Sequence, residues 1–197
     1  MPRLQIGITA PDLTLTDVTG ASVPLPYPDG LVHLQFRRFA GCPVCNLHLR
    51  RFAVRHGELR AARVLEVAVF HSPASELAPY VDGLPFPLVA DPGQAIYRAY
   101  GVERGARALL DPRVWPTIVR AAARSLVAVL RGRERLPAAR PLGGRYGLPA
   151  DFLVSADGRV LAAHYGAHAA DHWSVEQVLA LAAGHRTAPV GEPAIDG

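Results

Sequence analysis

The two cysteines of this chain stand three residues apart, as Cys42-Pro43-Val44-Cys45. An apolar run typical of a strand, residues 31–36, precedes them, and an amphipathic pattern typical of a helix follows. The start of a helix offers unpaired backbone N–H groups and positive dipole charge, which stabilise a thiolate and lower the thiol pKa. The spacing also allows a disulfide within one turn. The motif therefore predicts a two-electron thiol switch, and Arg37 and Arg38 just upstream add positive charge to it.

Two other interpretations of the cysteine pair are possible. Free cysteines are often buried as small apolar residues, and His48 and His56 follow Cys45 as possible zinc ligands. However, the C-x2-C-x2-H-x7-H spacing does not match the usual zinc-finger pattern, and the chain has no second cysteine pair. We therefore expect neither a metal nor another cofactor.

The composition bounds the architecture. A chain of 197 residues, half of them hydrophobic, is long enough for one well-buried core. We expect a single domain over residues 1–185 and a flexible tail over residues 186–197. Residues 1–5 do not begin an apolar secretory signal, so we expect a cytoplasmic protein, in which a cysteine pair is more often catalytic than structural.

Every basic residue counted in the net charge of +4 is an arginine, because the sequence contains no lysine. Schiff-base and phosphate-loop chemistry that needs a lysine is therefore excluded. Arginines cluster between residues 120 and 145, where they could attract nucleic acid, an acidic partner or anionic lipid. No aromatic residue interleaves this run before Tyr146, and no nucleic-acid motif is present. We interpret the cluster as a solvated face and expect neither nucleic acid nor a membrane as a partner.

The order of predicted elements indicates an α/β fold. A small N-terminal hairpin turns at Gly20, strands cover residues 31–36 and 64–70, and a second hairpin turns at Asp157-Gly158. Helices are expected at 44–60, from the Ser72 N-cap to about 81, after Asp91-Pro92-Gly93, at 114–130, and from the Ser174 capping box to before Gly184. This order predicts a thioredoxin-like sandwich, with a mixed central sheet, the N-terminal hairpin and helices on both faces.

Several stretches resemble one family. Residues 7–15, 39–45, 148–154 and 164–174 look like the peroxiredoxin-like branch of the alkyl hydroperoxide reductase and thiol-specific antioxidant family, within the thioredoxin superfamily. The resemblance spans about Gly7 to Ala183. It implies a thiol-dependent peroxidase that acts on a hydroperoxide, is reset by an external thiol such as a thioredoxin-like protein or a low-molecular-weight thiol, and can form a homodimer.

The chain departs from that family at its site. When Pro43-Val44-Cys45 is aligned with the family's motif, Cys45 falls at the peroxide-reacting cysteine and Cys42 where a threonine is usual. Arg38 falls at the position of an upstream proline. The arginine that the family carries before a late strand is absent there; Pro149 occupies that neighbourhood, and Arg145 is the nearest candidate. A proline facing the cysteines is typical of thioredoxin-like reductases, in which it is cis.

These residues are compatible with three alternative functions. In the first, Cys45 attacks a peroxide, becomes a sulfenic acid and condenses with Cys42. In the second, an exposed Cys42 attacks a disulfide in another molecule and Cys45 resolves the mixed disulfide. In the third, the chain is a redox-inert binding module that holds a partner through its arginine-rich segment.

Four other polar residues also need an interpretation. His71 follows the second predicted strand, where ligands of parallel sheets gather, and is either an acid–base group or a packed loop residue. Asp151 either holds a loop amide or tunes a thiol. Asp171 and His172 can be turn residues before the last helix.

Overall fold

Five strands form a mixed central sheet in the order β5-β4-β3-β6-β7. The structure is a computed structural model that describes residues 2–80, 83–102, 115–131, 144 and 147–187. Strands β3, β4 and β5 are parallel, whereas β6 is antiparallel to both of its neighbours, β3 and β7. A separate hairpin joins β1 and β2. The strands are β1 Leu15–Thr16, β2 Ser22–Val23, β3 Leu31–Arg37, β4 Val64–Phe70, β5 Leu88–Ala90, β6 Ala150–Val154 and β7 Val160–Tyr165.

Helices connect and cover these strands. The described helices are α1 Pro43–Val54, α2 His56–Ala61, α3 Ala74–Leu77 with a 3-10 turn at Ala78–Tyr80, α4 Ala95–Ala99, α5 Trp115–Leu130 and α6 Val175–Thr187. Within the described ranges, none of them combines the length and apolar character that crossing a bilayer demands.

Strand β3 divides the interior into two cores because successive side chains of a strand point to opposite faces. Leu34 and Phe36 pack with Tyr97 of α4 and with residues of the N-terminal hairpin. The alternate positions His33, Gln35 and Arg37 are polar yet buried, and they face α1 and the segment before α6. The predicted thioredoxin-like sandwich is therefore confirmed, but one of its interior faces carries charge.

Three helix boundaries differ from the prediction. The helix expected at 44–60 is two helices, because Arg55 leaves the α-helical conformation at φ −103°. The second begins at His56 and has Gly57, a poor helix former, in its first turn. The N-cap of α3 is Pro73 and not the predicted Ser72. The Ser72 hydroxyl instead accepts a hydrogen bond from Ala40 N–H at 3.0 Å. Helix α6 continues through Gly184 to Thr187.

The Ser174 capping box is present, with Gln177 N–H donating to the Ser174 hydroxyl and Ser174 N–H donating to the Gln177 side chain. The predicted tail begins within α6, and residues 188–197 lie outside the described residues.

Gly166 allows the end of β7 to pass close to Pro149. Its N–H donates to the Pro149 carbonyl at 2.9 Å. A Cβ at this position would lie 2.3 Å from the Asp171 carbonyl oxygen and 2.7 Å from Pro149 Cγ. The end of β7 therefore approaches Pro149 and Asp171 this closely only because residue 166 has no side chain.

We predict that Gly166→Ala lowers the free energy of unfolding by about 2–4 kcal/mol, since overpacking against backbone forces the chain to shift. Gly184→Ala is the matched control: no atom lies within 4 Å of its added Cβ, and alanine is favoured inside a helix by about 1 kcal/mol. Urea unfolding of both variants measures this. Equal stabilities for the two would contradict the close contact at Gly166.

Candidate active site

Cys42 and Cys45 occupy the first turn of α1. Cys42 is the N-cap and Pro43 begins the helix, where its missing N–H costs nothing. Gly41 makes the turn from β3 possible with φ +73°, a conformation that strains any residue with a side chain. Both cysteines are free thiols that lie within hydrogen-bonding reach of each other. The apolar run before the cysteines and the amphipathic pattern after them correctly predicted this placement at a strand-to-helix turn.

Arg38 supplies positive charge to both thiols. Its Nη2 atom lies 2.9 Å from Cys42 Sγ, and its guanidinium also interacts with Cys45. The side chain is buried, with its guanidinium carbon 5.6 Å from the centre of the Phe39 ring. Charge-assisted hydrogen bonds of this kind are stronger than neutral ones, more so away from water. The upstream arginine is therefore in direct contact with the cysteine pair.

Of the two thiols, Cys45 is the one whose ionised form is favoured. A hydrogen bond from the Cys42 thiol lowers the pKa of Cys45 to about 6, against the effect of burial; the Arg38 charge and backbone N–H act in the same direction. Burial and the neighbouring Cys45 raise the pKa of Cys42. The guanidinium contacts Cys42 Sγ, yet ionisation is favoured at Cys45. The reason is that the Cys42 S–H and the Arg38 backbone N–H both donate hydrogen bonds to the Cys45 sulfur.

Accessibility differs from the sequence interpretation. Cys42 was expected at an exposed position, but its exposed fraction is 0%, and that of Cys45 is 3%. The reason is packing: both side chains belong to a buried cluster that includes Phe39, Ala40 and Leu49. Solvent therefore has almost no access to either cysteine in this conformation.

Three further site residues were predicted: His71, Pro149 and Arg145. His71 follows β4, its N–H donates to the Arg38 carbonyl at 3.3 Å, and Gly147 packs against both side chains. Pro149 is buried just before β6, and its peptide bond is not the cis one, since the cis bond in the described residues is Leu25–Pro26. Arg145 lies outside the described residues.

A cluster of buried charges lies beneath α1. Asp151 of β6 accepts a hydrogen bond from Arg37 Nη2 at 2.7 Å and one from Trp173 N–H at 3.1 Å. Arg37 Nε also donates to Gln35 at 2.6 Å, and Gln35 donates to Glu66. His33 lies between the two carboxylates, with Nδ1 2.9 Å from Glu66 and Nε2 3.3 Å from Asp151.

The charges of this cluster balance. Burial disfavours charged His33, but Glu66 and Asp151 together raise its pKa to about 9. Burial would raise the pKa of Asp151, but Arg37 and His33 hold it well below its usual value. Two cations thus meet two carboxylates, a pairing that buried charges require. Of the two predicted roles for Asp151, the observed contact is the one with a loop amide, that of Trp173.

Two histidines extend this cluster toward the surface. Arg37 donates to His48 Nε2 at 2.9 Å, which requires a neutral ring at that nitrogen because arginine has only donors. The His48 and His172 rings have centroids 3.7 Å apart. Burial and Arg37 lower the pKa of both, that of His172 to about 3. His48 is thus engaged by Arg37, and His172 packs on it rather than standing in an open turn. Asp171 accepts hydrogen bonds from Ala167 N–H and His164.

The cluster of His33, Gln35 and Glu66 was not predicted from the sequence. Its signal was present: polar residues interrupt two strands that are otherwise continuously apolar. Buried polar side chains in such strands need partners, and β3 and β4 place His33 directly beside Glu66.

Residues 51–168, more than half of the chain, match the model of the AhpC/TSA antioxidant enzyme family. The chain belongs to this family. The matched region runs from α1 through β7, so it includes Asp151 and begins after the two cysteines. The predicted family and the prediction of a thiol-dependent oxidoreductase are confirmed. Comparison with curated protein sequences gives no significant match.

Solved structures share the fold. Peroxidoxin BcpB from Mycobacterium tuberculosis is 20% identical, with a TM-score of 0.64 over 92% of this chain and 98% of that one. The bacterioferritin comigratory protein of Xanthomonas campestris is 17% identical, with a TM-score of 0.63 over 92% and 99%. A putative thiol:disulfide interchange protein DsbE from Chlorobium tepidum is 22% identical, with a TM-score of 0.57 over 91% and 99%.

The charge cluster predicts a pH-dependent stability. Because folding raises the pKa of His33 from 6.5 to about 9, its contribution is complete below pH 6.5 and is lost as the pH rises through 9. We expect a loss on the order of 3 kcal/mol over this window. Because folding lowers the pKa of Cys45 to about 6, its contribution to stability rises with pH in the same window. The measurement therefore requires a Cys45→Ser background.

Urea unfolding at a series of pH values, in that background, measures the effect. The decline should disappear in His33→Gln and persist in the matched variant His185→Gln, since His185 is exposed on α6. A decline of equal size in His33→Gln would show that His33 is not the titrating group.

Proposed function

We propose that this chain is a thiol-dependent peroxide reductase in which Cys45 attacks the peroxide and Cys42 resolves the product. The observation that carries the proposal is the convergence on one sulfur of the Cys42 thiol, the Arg38 N–H and the Arg38 charge, which lowers the pKa of Cys45 to about 6. Such a thiol is mostly thiolate at neutral pH, and the thiolate is the nucleophile. Membership of a family of antioxidant enzymes supports the same chemistry.

The reaction has two steps. The Cys45 thiolate attacks one oxygen of a hydroperoxide; the O–O bond breaks, an alcohol leaves after taking up a proton, and Cys45 becomes a sulfenic acid. The Cys42 sulfur then attacks Cys45, forming the disulfide and releasing the hydroxyl as water. An external dithiol reduces the disulfide and is itself oxidised.

Arg38 has a role in each step. Before the first step its charge favours the Cys45 thiolate. In the second step Cys42 must give up its proton, although burial raises its pKa. The guanidinium already in contact with Cys42 Sγ at 2.9 Å stabilises the negative charge that forms there. One arginine therefore serves both thiolates in turn.

Burial of the pair favours a small substrate. Attack on a protein disulfide needs an exposed sulfur that a second protein can approach, and Cys42 has an exposed fraction of 0%. Hydrogen peroxide or a small hydroperoxide needs only a limited opening around the first turn of α1.

Thiol–disulfide exchange is the second candidate. Two observations favour it: Cys42 is the N-cap of α1 with Arg38 on its sulfur, and one similar structure is of a putative thiol:disulfide interchange protein. In this case Cys42 is the nucleophile. The external thiol, the homodimer and the cytoplasmic location stay predictions in either case.

The first test separates the two cysteines. We expect purified protein with a dithiol reductant to consume hydroperoxide, Cys45→Ser to consume no more than the double serine variant, and Cys42→Ser to form one sulfenic acid on Cys45 after one equivalent of peroxide. Mass spectrometry of dimedone-labelled peptides measures the last result.

Three outcomes contradict the proposal. Activity no greater than that of the double serine variant excludes peroxide reduction. Capture of an oxidised dithiol through Cys42 in Cys45→Ser, without a sulfenic acid in Cys42→Ser, supports disulfide exchange instead. A cysteine pair that forms no disulfide under mild oxidation supports the redox-inert module.

The second test concerns Arg38. Without the guanidinium, the pKa of Cys45 should rise, and each unit of rise makes its thiolate roughly tenfold scarcer at pH values below the new pKa. We expect Arg38→Met, in the Cys42→Ser background, to shift the pH profile of Cys45 alkylation upward. Serine keeps a hydroxyl donor at position 42.

Controls separate charge from folding. Arg38→Lys should recover part of the shift, because it keeps the charge but loses the planar donor geometry. Arg60→Met removes an exposed arginine from α2 and should leave the profile unchanged. An unchanged profile in correctly folded Arg38→Met would show that Arg38 does not set the pKa of Cys45.

A further inference from the structure

Helix α5 exposes a stripe of large apolar side chains. Trp115, Val119, Leu126 and Leu130 have exposed fractions of 55%, 62%, 55% and 78%. Their spacing of 4, 7 and 4 residues puts all of them on one side of a helix with 3.6 residues per turn. Exposed apolar residues that are contiguous, unlike scattered ones, mark an interaction surface.

The fold does not require this stripe. Helix α5 is attached through a different side, on which Ala121 is buried and Ile118 is partly buried against the main core. Successive residues of a helix are 100° apart, so this side is well separated from the stripe. One set of apolar residues on α5 therefore packs against the protein, and a different set, the stripe, stays exposed.

Arginines border the stripe. Arg120, Arg124 and Arg131 follow one another along a third side of α5 and face a groove against α1. A cavity of about 530 Å³ in this groove is lined by five arginines and by no carboxylate among the described residues: Arg50, Arg51, Arg55, Arg120 and Arg124. Of these, Arg55 forms ion pairs with Glu58 and Glu176. A positive groove beside an apolar stripe matches a partner that is both anionic and apolar.

We propose that α5 and the neighbouring groove bind an anionic lipid surface. The stripe enters the boundary between headgroups and acyl chains, and the arginines contact the lipid phosphates. Interfacial helices combine these two features, with tryptophan and leucine on one face and cationic residues beside them. The two contributions act together, since either one alone gives weak, reversible binding.

Charge argues against a second copy of the chain as the occupant. A two-fold symmetric interface presents the same patch from both partners. Pairing through α5 would set an arginine-bordered patch against its own copy, with no described carboxylate lining the groove of either copy. Anionic lipid instead brings charge opposite in sign to Arg120 and Arg124.

This proposal departs from the sequence interpretation, which took the arginine cluster as a solvated face without a membrane partner. The sequence did not show which apolar residues of α5 remain outside the core. The inference is also independent of the proposed peroxidase activity. Pro43, which lies between the two cysteines, lines the same groove as Arg124 and Arg131, so a bound lipid surface would lie beside the first turn of α1.

Vesicle binding tests the proposal with the whole protein. We expect flotation with vesicles of phosphatidylcholine containing about a third of phosphatidylglycerol, much weaker flotation with phosphatidylcholine alone, and loss of binding as salt screens the charges. Trp115 is the exposed tryptophan and Trp173 is buried, so emission should shift to the blue on binding, and Trp115→Phe should remove this shift.

Variants separate the two contributions. Arg120→Gln/Arg124→Gln should weaken partitioning roughly 20- to 30-fold, since each basic residue near an anionic surface contributes roughly fivefold. Arg60→Gln/Arg159→Gln lowers the net charge equally at exposed positions outside the groove and should bind as the parent does. Leu126→Ser/Leu130→Ser should lose the blue shift and bind weakly without loss of helicity, because both side chains are exposed.

Three results would overturn the proposal. The first is no binding to the anionic vesicles, which would leave an acidic protein as the occupant. The second is equal loss of binding in the two arginine pairs, which would show attraction to net charge alone. The third is a dimer in sedimentation experiments that Leu126→Ser/Leu130→Ser dissociates, which would assign the stripe to a second copy of the chain.

Discussion

The carboxylate of Asp151 is the contact on which the arrangement of the site depends. It accepts hydrogen bonds from Arg37 of β3 and from the Trp173 N–H, and it lies beside His33. A buried arginine without such a partner costs several kcal/mol. Strand β6 must therefore lie next to β3 in the observed register, in which Gln35 is opposite Asp151. The segment before α6 is then held against the same carboxylate.

Fixing Arg37 also determines the direction of Arg38. Arg37 is the last residue of β3 and turns its side chain toward Asp151 and His48. The next residue of an extended chain points the other way, and Arg38 reaches the sulfur of Cys42. Two adjacent arginines thus have different tasks. One neutralises carboxylates inside the sheet, and the other contacts the cysteine pair.

Much of this fold was predictable from local sequence. The apolar run at 64–70, the Asp157-Gly158 hairpin and the Ser174 capping box correspond to β4, the β6–β7 hairpin and the start of α6. The position of the cysteines followed from the apolar run before them and the helical pattern after them. Helix ends were less predictable, because the Ser72 hydroxyl bonds to the distant Ala40 N–H rather than to its own helix. The burial of Cys42 depends on packing with Phe39 and Leu49, and the pairing of Arg37 with Asp151 joins residues 114 positions apart. Neither is visible in a local pattern.

The distance in sequence between Arg37 and Asp151 has a consequence for biosynthesis. The sheet inserts a late strand, β6, between the early strand β3 and the final strand β7, so Arg37 has no carboxylate beside it until residue 151 has been made. Domains fold as units during translation, and contacts between distant positions form slowly. A nascent chain that has released only its cysteine turn therefore carries Arg37 without its carboxylate, and the central β3–β6 pairing of the sheet can form only after β6 emerges from the ribosome.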